Sequence, residues 1–266
     1  MPRLLILQTG STASEVGLRH GDYDRWFMDA MAEHDLAFDV CDVTRAAIPE
    51  PIVHAGILIT GSVQSVLEPE PWMDRLAAFL RRAREHGVPL LGVCFGCQAL
   101  AHALGGRVVR SPSGWEIGAV QVTLADAARS DPLFEGLPSL LPVLATHEDR
   151  VEVLPPGAVL LAGNSSAPIQ AFRAAENVWG VQFHPEATIA ILRDLIQRRR
   201  DQLTADARAR GLDPAGHVED LLKRLDQFDP APQRRLLANF ARLCMPGSGG
   251  PGVQRTTRGD QARVAS

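Results

Sequence analysis

The stretch GVCFGCQALAHALGG, residues 92–106, follows the apolar run VPLLGV (88–93) and carries Cys94 and Cys97 in C-x-x-C spacing. Four readings compete for it. A redox dithiol sits where a strand runs into a helix, but many alternating elements precede Cys94, too many for that small fold. A zinc site needs a second ligand pair, whereas Cys41 and Cys244 are isolated and no H-x3-5-H is present. Two buried thiols packing a helix on a sheet is the plain structural reading. The fourth reading starts from Gly92-Val93-Cys94-Phe95-Gly96, which has the form G-x-nucleophile-x-G between a strand and a helix. In such an elbow the glycines relieve crowding in a tight, strained turn that lifts the central side chain above the strand ends. The helix that follows offers unpaired N–H groups and a positive dipole end, both favouring a thiolate. This geometry singles out Cys94 and leaves Cys97 inside the helix, as a second and oxidisable thiol near the site.

The elbow sits in an alternating context. RLLILQ (3–8), AFDVCDV (37–43), AGILITGS (55–62) and VPLLGV read as strands, with helices expected over 22–34 and 71–87 between them. That order predicts βα units around a mostly parallel sheet, with ligands at the carboxyl ends of its strands. The middle of the chain is strand-rich and punctuated by Pro, Gly and Asn, with a hairpin turn expected at Glu176-Asn177. From Thr188 the pattern returns to helix, in the arginine-rich 187–211, in 217–228 and in 232–244. From Pro246 the composition is that of a disordered tail.

Composition excludes several function classes. The 266 residues are 45% hydrophobic and 22% charged with a formal net charge of −4, which predicts a globular enzyme without a nucleic-acid surface. Lys223 is the only lysine and lies in LLKRLD, so no phosphate-binding P-loop is possible. No apolar run is long enough to span a membrane. The N-terminus lacks a secretory signal, and the four cysteines make a poor disulfide framework, so a reducing, cytoplasmic setting is expected. Neither a cofactor nor a metal is called for.

A cysteine nucleophile needs a base, and the base an orienting group. Of the eight histidines, His184 stands out at the end of a strand in VWGVQFHPE. His184 and Glu186 are two apart and, in an extended chain, point to one side. Pro185 between them marks a strand terminus. The carboxylate there can fix the imidazole tautomer. A structural His–Glu pair is the competing reading. A third element, ITGS (59–62), is a strand ending in glycine whose N–H, with that of Phe95, can form an oxyanion hole.

Together these segments resemble a class I (triad) glutamine amidotransferase domain over about residues 3 to 190, on ILITGSVQSV, the elbow, GWEIG (114–118), THEDRVEVLPPGA (146–158) and GVQFHPE. GDYDRWFMDAM and LEPEPWMDRL look like the stand-alone group similar to the amidotransferase domain of GMP synthase. The resemblance implies a flavodoxin-like, mostly parallel sheet flanked by helices over residues 1–190; beyond it, the helical pattern makes residues 191–244 a C-terminal extension and composition makes 245–266 a disordered tail. The resemblance also implies Cys94 as nucleophile, His184 as general base and acid, Glu186 as orienter, and the Gly61 and Phe95 N–H groups as oxyanion hole. Gln98 matches the elbow glutamine that helps hold the substrate, and His147 and Glu148 a substrate-facing loop. Cys97 departs from the group, which commonly has histidine there.

The implied activity is hydrolysis of the γ-amide of glutamine to glutamate and ammonia. Ser248–Gly250 runs on as SGGPGV, unlike the S-G-G-x-D-S loop of the GMP synthase ATP-pyrophosphatase. Any ammonia acceptor is therefore expected on a separate synthase subunit. Two alternatives stand beside this reading: a γ-glutamyl peptidase or hydrolase using the same triad, and a non-catalytic regulatory or binding subunit, against which the intact Cys94, His184 and Glu186 argue. The helices beyond residue 190 read as a cap on the α/β unit rather than a docking surface.

Overall fold

The computed structural model describes residues 1–245, so the expected tail lies, Met245 apart, outside the described residues. The chain runs β1 (Arg3–Gln8), α1 (Ser14–His20), α2 (Tyr23–Ala30), β2 (Ala37–Asp42), β3 (Gly56–Ile59), α3 (Pro71–Glu85), β4 (Leu90–Val93) and α4 (Phe95–Ala103). Then come β5 (Arg107–Arg110), β6 (Glu116–Leu124), β7 (Leu140–His147), β8 (Asp149–Val153), β9 (Val159–Gly163), β10 (Ala171–Ala175) and β11 (Val178–Val181). Four helices close the described chain: α5 (Ile189–Arg198), α6 (Arg200–Ala209), α7 (Pro214–Asp226) and α8 (Ala231–Leu243).

Nine strands form one sheet in the order β2-β1-β3-β4-β11-β10-β9-β6-β7. The first five pair in parallel and each pairing from β11 to β7 is antiparallel, while β5 and β8 pair as a separate ribbon. The parallel core explains the uninterrupted apolar runs, because a strand covered on both faces has no polar side. In β1, Leu4 and Ile6 face one layer with Phe27 of α2 and Phe240 of α8, while Leu5 and Leu7 face the other with Phe79 of α3 and Leu100 of α4. The predicted hairpin is present, with Ala175 opposite Val178 across Glu176-Asn177.

Three details depart from the sequence pattern. The helix expected over 22–34 ends at Ala30, because Met31 turns into the core and the chain tightens through His34 N–H to Met31 O, 3.0 Å. α1 lacked a clear signal, as Val16 is its one buried residue. The arginine-rich helical stretch breaks at Arg199 into α5 and α6, both of which keep their apolar residues against a third cluster with Trp26, Ile117 and Leu144. α8 docks on the sheet itself: Cys244, its C-cap, fills the space beside Gly56 of β3. Among the described residues no helix is long and apolar enough to cross a membrane.

Candidate active site

Register places the site at the carboxyl ends of the central strands. Ile59 of β3 lies opposite Gly92 of β4, and Val93 opposite Val181 of β11. Because these strands are parallel, Gly61, Cys94 and His184 all emerge at their carboxyl ends.

At the elbow, Cys94 has φ 52°, ψ −105°, the only left-handed non-glycine backbone among the described residues. Such a conformation costs on the order of 1–3 kcal/mol and persists only where its surroundings over-determine it. They do so here through both glycines. A Cβ on Gly92 would lie 2.4 Å from the Gly96 carbonyl oxygen, and one on Gly96 2.5 Å from that of Ile59. Gly96 N–H also donates to Thr60 O at 3.1 Å, tying the elbow to the end of β3.

Gly61 marks where the pieces meet. A Cβ there would be 2.9 Å from His184 Cε1, 3.6 Å from Tyr23 Cε1 and 3.7 Å from Cys94 Cβ. Among the described residues no acceptor takes up the Gly61 N–H. Phe95 opens α4, so its N–H has no acceptor one turn earlier. The Cys94 thiol has a distant contact to Thr146 O, 3.9 Å.

His184 and Glu186 do meet, though not in the extended chain expected. β11 ends at Val181, and Ala187 N–H donates to His184 O at 3.2 Å. Residues 184–187 thus form a turn with Pro185 at its second position, where a proline's fixed φ is favoured. The turn brings Glu186 Oε1 to 2.7 Å from His184 Nδ1, with both side chains buried. Nε2, the other ring nitrogen, is buried and unpartnered. Burial alone would lower the imidazole pKa, but the Glu186 carboxylate and the Cys94 sulfur outweigh it and lift it to about 10. The tertiary structure adds a support from α8: Gln233 donates to Ala187 O at 3.3 Å and accepts from Leu144 N–H at 2.9 Å.

Cys94 and His184 open into a cleft of about 260 Å³ that Gln98, His147 and Glu148 also line. Gln98 is buried and its amide nitrogen is committed, 2.9 Å to Asp149 O and 3.1 Å to Gln182 Oε1. The His147 ring bonds Asp149 O at 3.0 Å and Glu116 at 2.9 Å. Glu116 is desolvated, yet His147, Asn164 and Gln170 hold its pKa below the ordinary carboxylate value. Glu148 is half-buried and pairs with Arg110 at 2.7 Å.

Cys97, expected as an oxidisable neighbour of the site, turns away into the core. It is fully buried, its sulfur 2.9 Å from where a Cβ on Gly180 would sit, and burial pushes its thiol pKa well up. It is therefore poorly placed for oxidation, which needs thiolate character and access. All four cysteines are free.

Sequence reasoning missed part of the lining. Tyr23, Trp26, Trp115, Leu192, Leu195 and Arg199 form the other side of the cleft. Their elements are distant in sequence, and nothing local announces that they converge.

The chain matches the model of the family Glutamine amidotransferase class-I over residues 22–196. It is 39% identical over 143 residues to a GMP synthase (glutamine-hydrolyzing) of Thermomicrobium roseum, a match covering 54% of this chain and 25% of that one. It thus spans about a quarter of that relative's length. Gamma-glutamyl peptidase 4 of Arabidopsis thaliana is 29% identical over 184 residues, 67% of this chain and 73% of its own. The solved structure of a glutamine amido transferase from Methylobacillus flagellatus matches with a TM-score of 0.71 at 25% identity, over 91% of this chain and 95% of that one.

Proposed function

This chain belongs to the class-I glutamine amidotransferase family, and on that premise we propose that it hydrolyses the γ-amide of glutamine through a thioester on Cys94. The observation that carries the reading is the strained Cys94 backbone beside a His184 whose free Nε2 faces the same cleft. Strain concentrated at a single nucleophile is a device of pre-organisation rather than of packing.

The Cys94 sulfur attacks the amide carbon, and the oxygen that gains charge is held by the Gly61 and Phe95 N–H groups. As the C–N bond breaks, His184 gives its Nε2 proton to the leaving ammonia and a γ-glutamyl thioester remains. His184 then takes a proton from water, hydroxide adds to the thioester, and glutamate leaves as the thiol is restored. Glu186 holds the imidazole through Nδ1 and favours its charged form, which in turn favours thiolate over thiol at Cys94. Gln98 and His147 act on the substrate through the Asp149 segment that both of them anchor, and Glu148 lines its path. The ammonia acceptor belongs on a separate synthase subunit. Four free cysteines support a cytoplasmic setting.

A second reading is hydrolysis of a larger γ-glutamyl compound by the same groups. It is favoured by the Arabidopsis peptidase, which aligns over 73% of its own length, and by a cleft that continues past Cys94 to Trp115 and Arg199. The test is release of ammonia from glutamine by the purified protein, beside release of amine from γ-glutamyl peptides. Cys94→Ala is expected to lower turnover by about a thousandfold or more. Undiminished turnover in that variant would overturn the assignment.

A further inference from the structure

Three consecutive arginines, Arg198 to Arg200, join α5 to α6. Arg198 pairs with Glu15 at 3.4 Å and Arg200 with Glu219 at 3.2 Å, both at the surface. Arg199 between them has no carboxylate partner among the described residues, and its Nη1 is buried without a hydrogen bond. Its guanidinium lies over the Trp115 ring, 4.8 Å from the centroid. Both residues line the cleft that holds Cys94 and His184. Arg110, the other arginine of the cleft, is already paired with Glu148 and Asp149.

A guanidinium nitrogen withdrawn from water without an acceptor is costly, and stacking on an indole offsets only part of that cost. Stacking also uses the face of the group and leaves its in-plane N–H fork for an acceptor, the geometry that matches a carboxylate. Trp26, Leu192 and Leu195 add apolar lining to the same cleft, which strengthens such a pairing by excluding water. Burial holds the guanidinium pKa below its ordinary value, but an arginine stays cationic in a protein.

We propose that Arg199, stacked on Trp115, is the receptor for a carboxylate of the substrate and so a specificity-determining residue of this site. The proposal rests on the Cys94 chemistry above, since the carboxylate must belong to the molecule whose amide lies at Cys94. Two carboxylates qualify: the α-carboxylate of the glutamyl group, or one carried by the amine part of a γ-glutamyl compound.

The test is calorimetric binding of L-glutamine, γ-L-glutamylglycine and L-glutaminamide to Cys94→Ser protein, with and without Arg199→Gln. Loss of the charged fork is expected to weaken binding by about ten- to a hundredfold. Weakening confined to γ-glutamylglycine places the amine-side carboxylate on Arg199. Equal weakening for glutamine and γ-glutamylglycine, with glutaminamide spared, places the α-carboxylate there. Either result supports the proposal. Equal weakening of all three, no weakening, or no binding of any of them to the Cys94→Ser protein overturns it. Arg199→Lys, which keeps the charge without the fork, gives intermediate binding and serves if Arg199→Gln misfolds. Failure of the catalytic reading is seen separately, as no amide hydrolysis by the unaltered protein.

Discussion

Glu186 Oε1 stands 2.7 Å from His184 Nδ1 across a four-residue turn, leaving the buried Nε2 as the ring nitrogen without a hydrogen-bond partner. That carboxylate orients the imidazole and, with the Cys94 sulfur, favours its charged form.

Removing that charge tests the arrangement. Glu186→Gln is expected to lower kcat by about a hundredfold or more. The alkaline limb of the pH profile, set by an imidazole whose pKa stands at about 10, moves towards neutrality in this variant. Stability follows the same sign. A histidine raised from 6.5 to about 10 on folding contributes fully below 6.5, and its contribution is lost as pH climbs through about 10. Urea denaturation across that window should show the unaltered protein losing more stability with rising pH than Glu186→Gln. Equal pH dependence would sink the assignment.

Strain at the elbow makes activity and stability oppose each other. Cys94→Gly relieves the left-handed backbone and should be more stable than Cys94→Ala by about 1 kcal/mol, while both are inactive. Gly96→Ala, whose Cβ meets the Ile59 carbonyl oxygen at 2.5 Å, should lose about 1–3 kcal/mol by overpacking against backbone. Denaturant midpoints give both values. An Ala variant as stable as the Gly variant would show Cys94 to be unstrained.

Gln233 couples the C-terminal helix to the His184 turn. Gln233→Leu leaves Leu144 N–H and Ala187 O without their side-chain partner. The expected cost is about 1–3 kcal/mol for each buried group left unpaired. Turnover should fall as well, and Gln233→Glu should restore part of the stability through the Leu144 N–H. A stable variant with unchanged turnover would show that α8 does not position the turn.

Docking of α8 on the sheet can be read from a double-mutant cycle. A Cβ on Gly56 falls 2.3 Å from Cys244 Sγ and 2.7 Å from Leu4 Cδ1. Gly56→Ala alone should be destabilising, and less so in a Cys244→Ala background, with a coupling energy of about 0.5–3 kcal/mol. Strict additivity would place the two residues out of contact.

Much of this was legible beforehand because it is local. RLLILQ and VPLLGV announce strands buried on both faces, and Gly92 and Gly96 announce a turn that only they can make around Cys94. His184 and Glu186 are two residues apart, so few chain paths keep them from meeting. Even there the path differs from an extended chain end, since Pro185 directs a turn. The C-x-x-C spacing misled in the opposite sense. It suggests two thiols at one place, whereas the helix that starts at Phe95 carries Cys97 round into the core beside Gly180.

The sequence by itself determined the parallel core, the strand–elbow–helix at Cys94 and the pairing of His184 with Glu186, because each is set by contacts within a few residues or by periodicity of burial. Only the tertiary structure decided that His147 is spent on Glu116 and Asp149, that Gln233 braces the His184 turn, and that Arg199 stands over Trp115 without a counter-ion in the same cleft as Cys94. Periodicity tells which face of an element is buried. Which partner waits there depends on how segments far apart in the chain pack, and no local pattern carries that information.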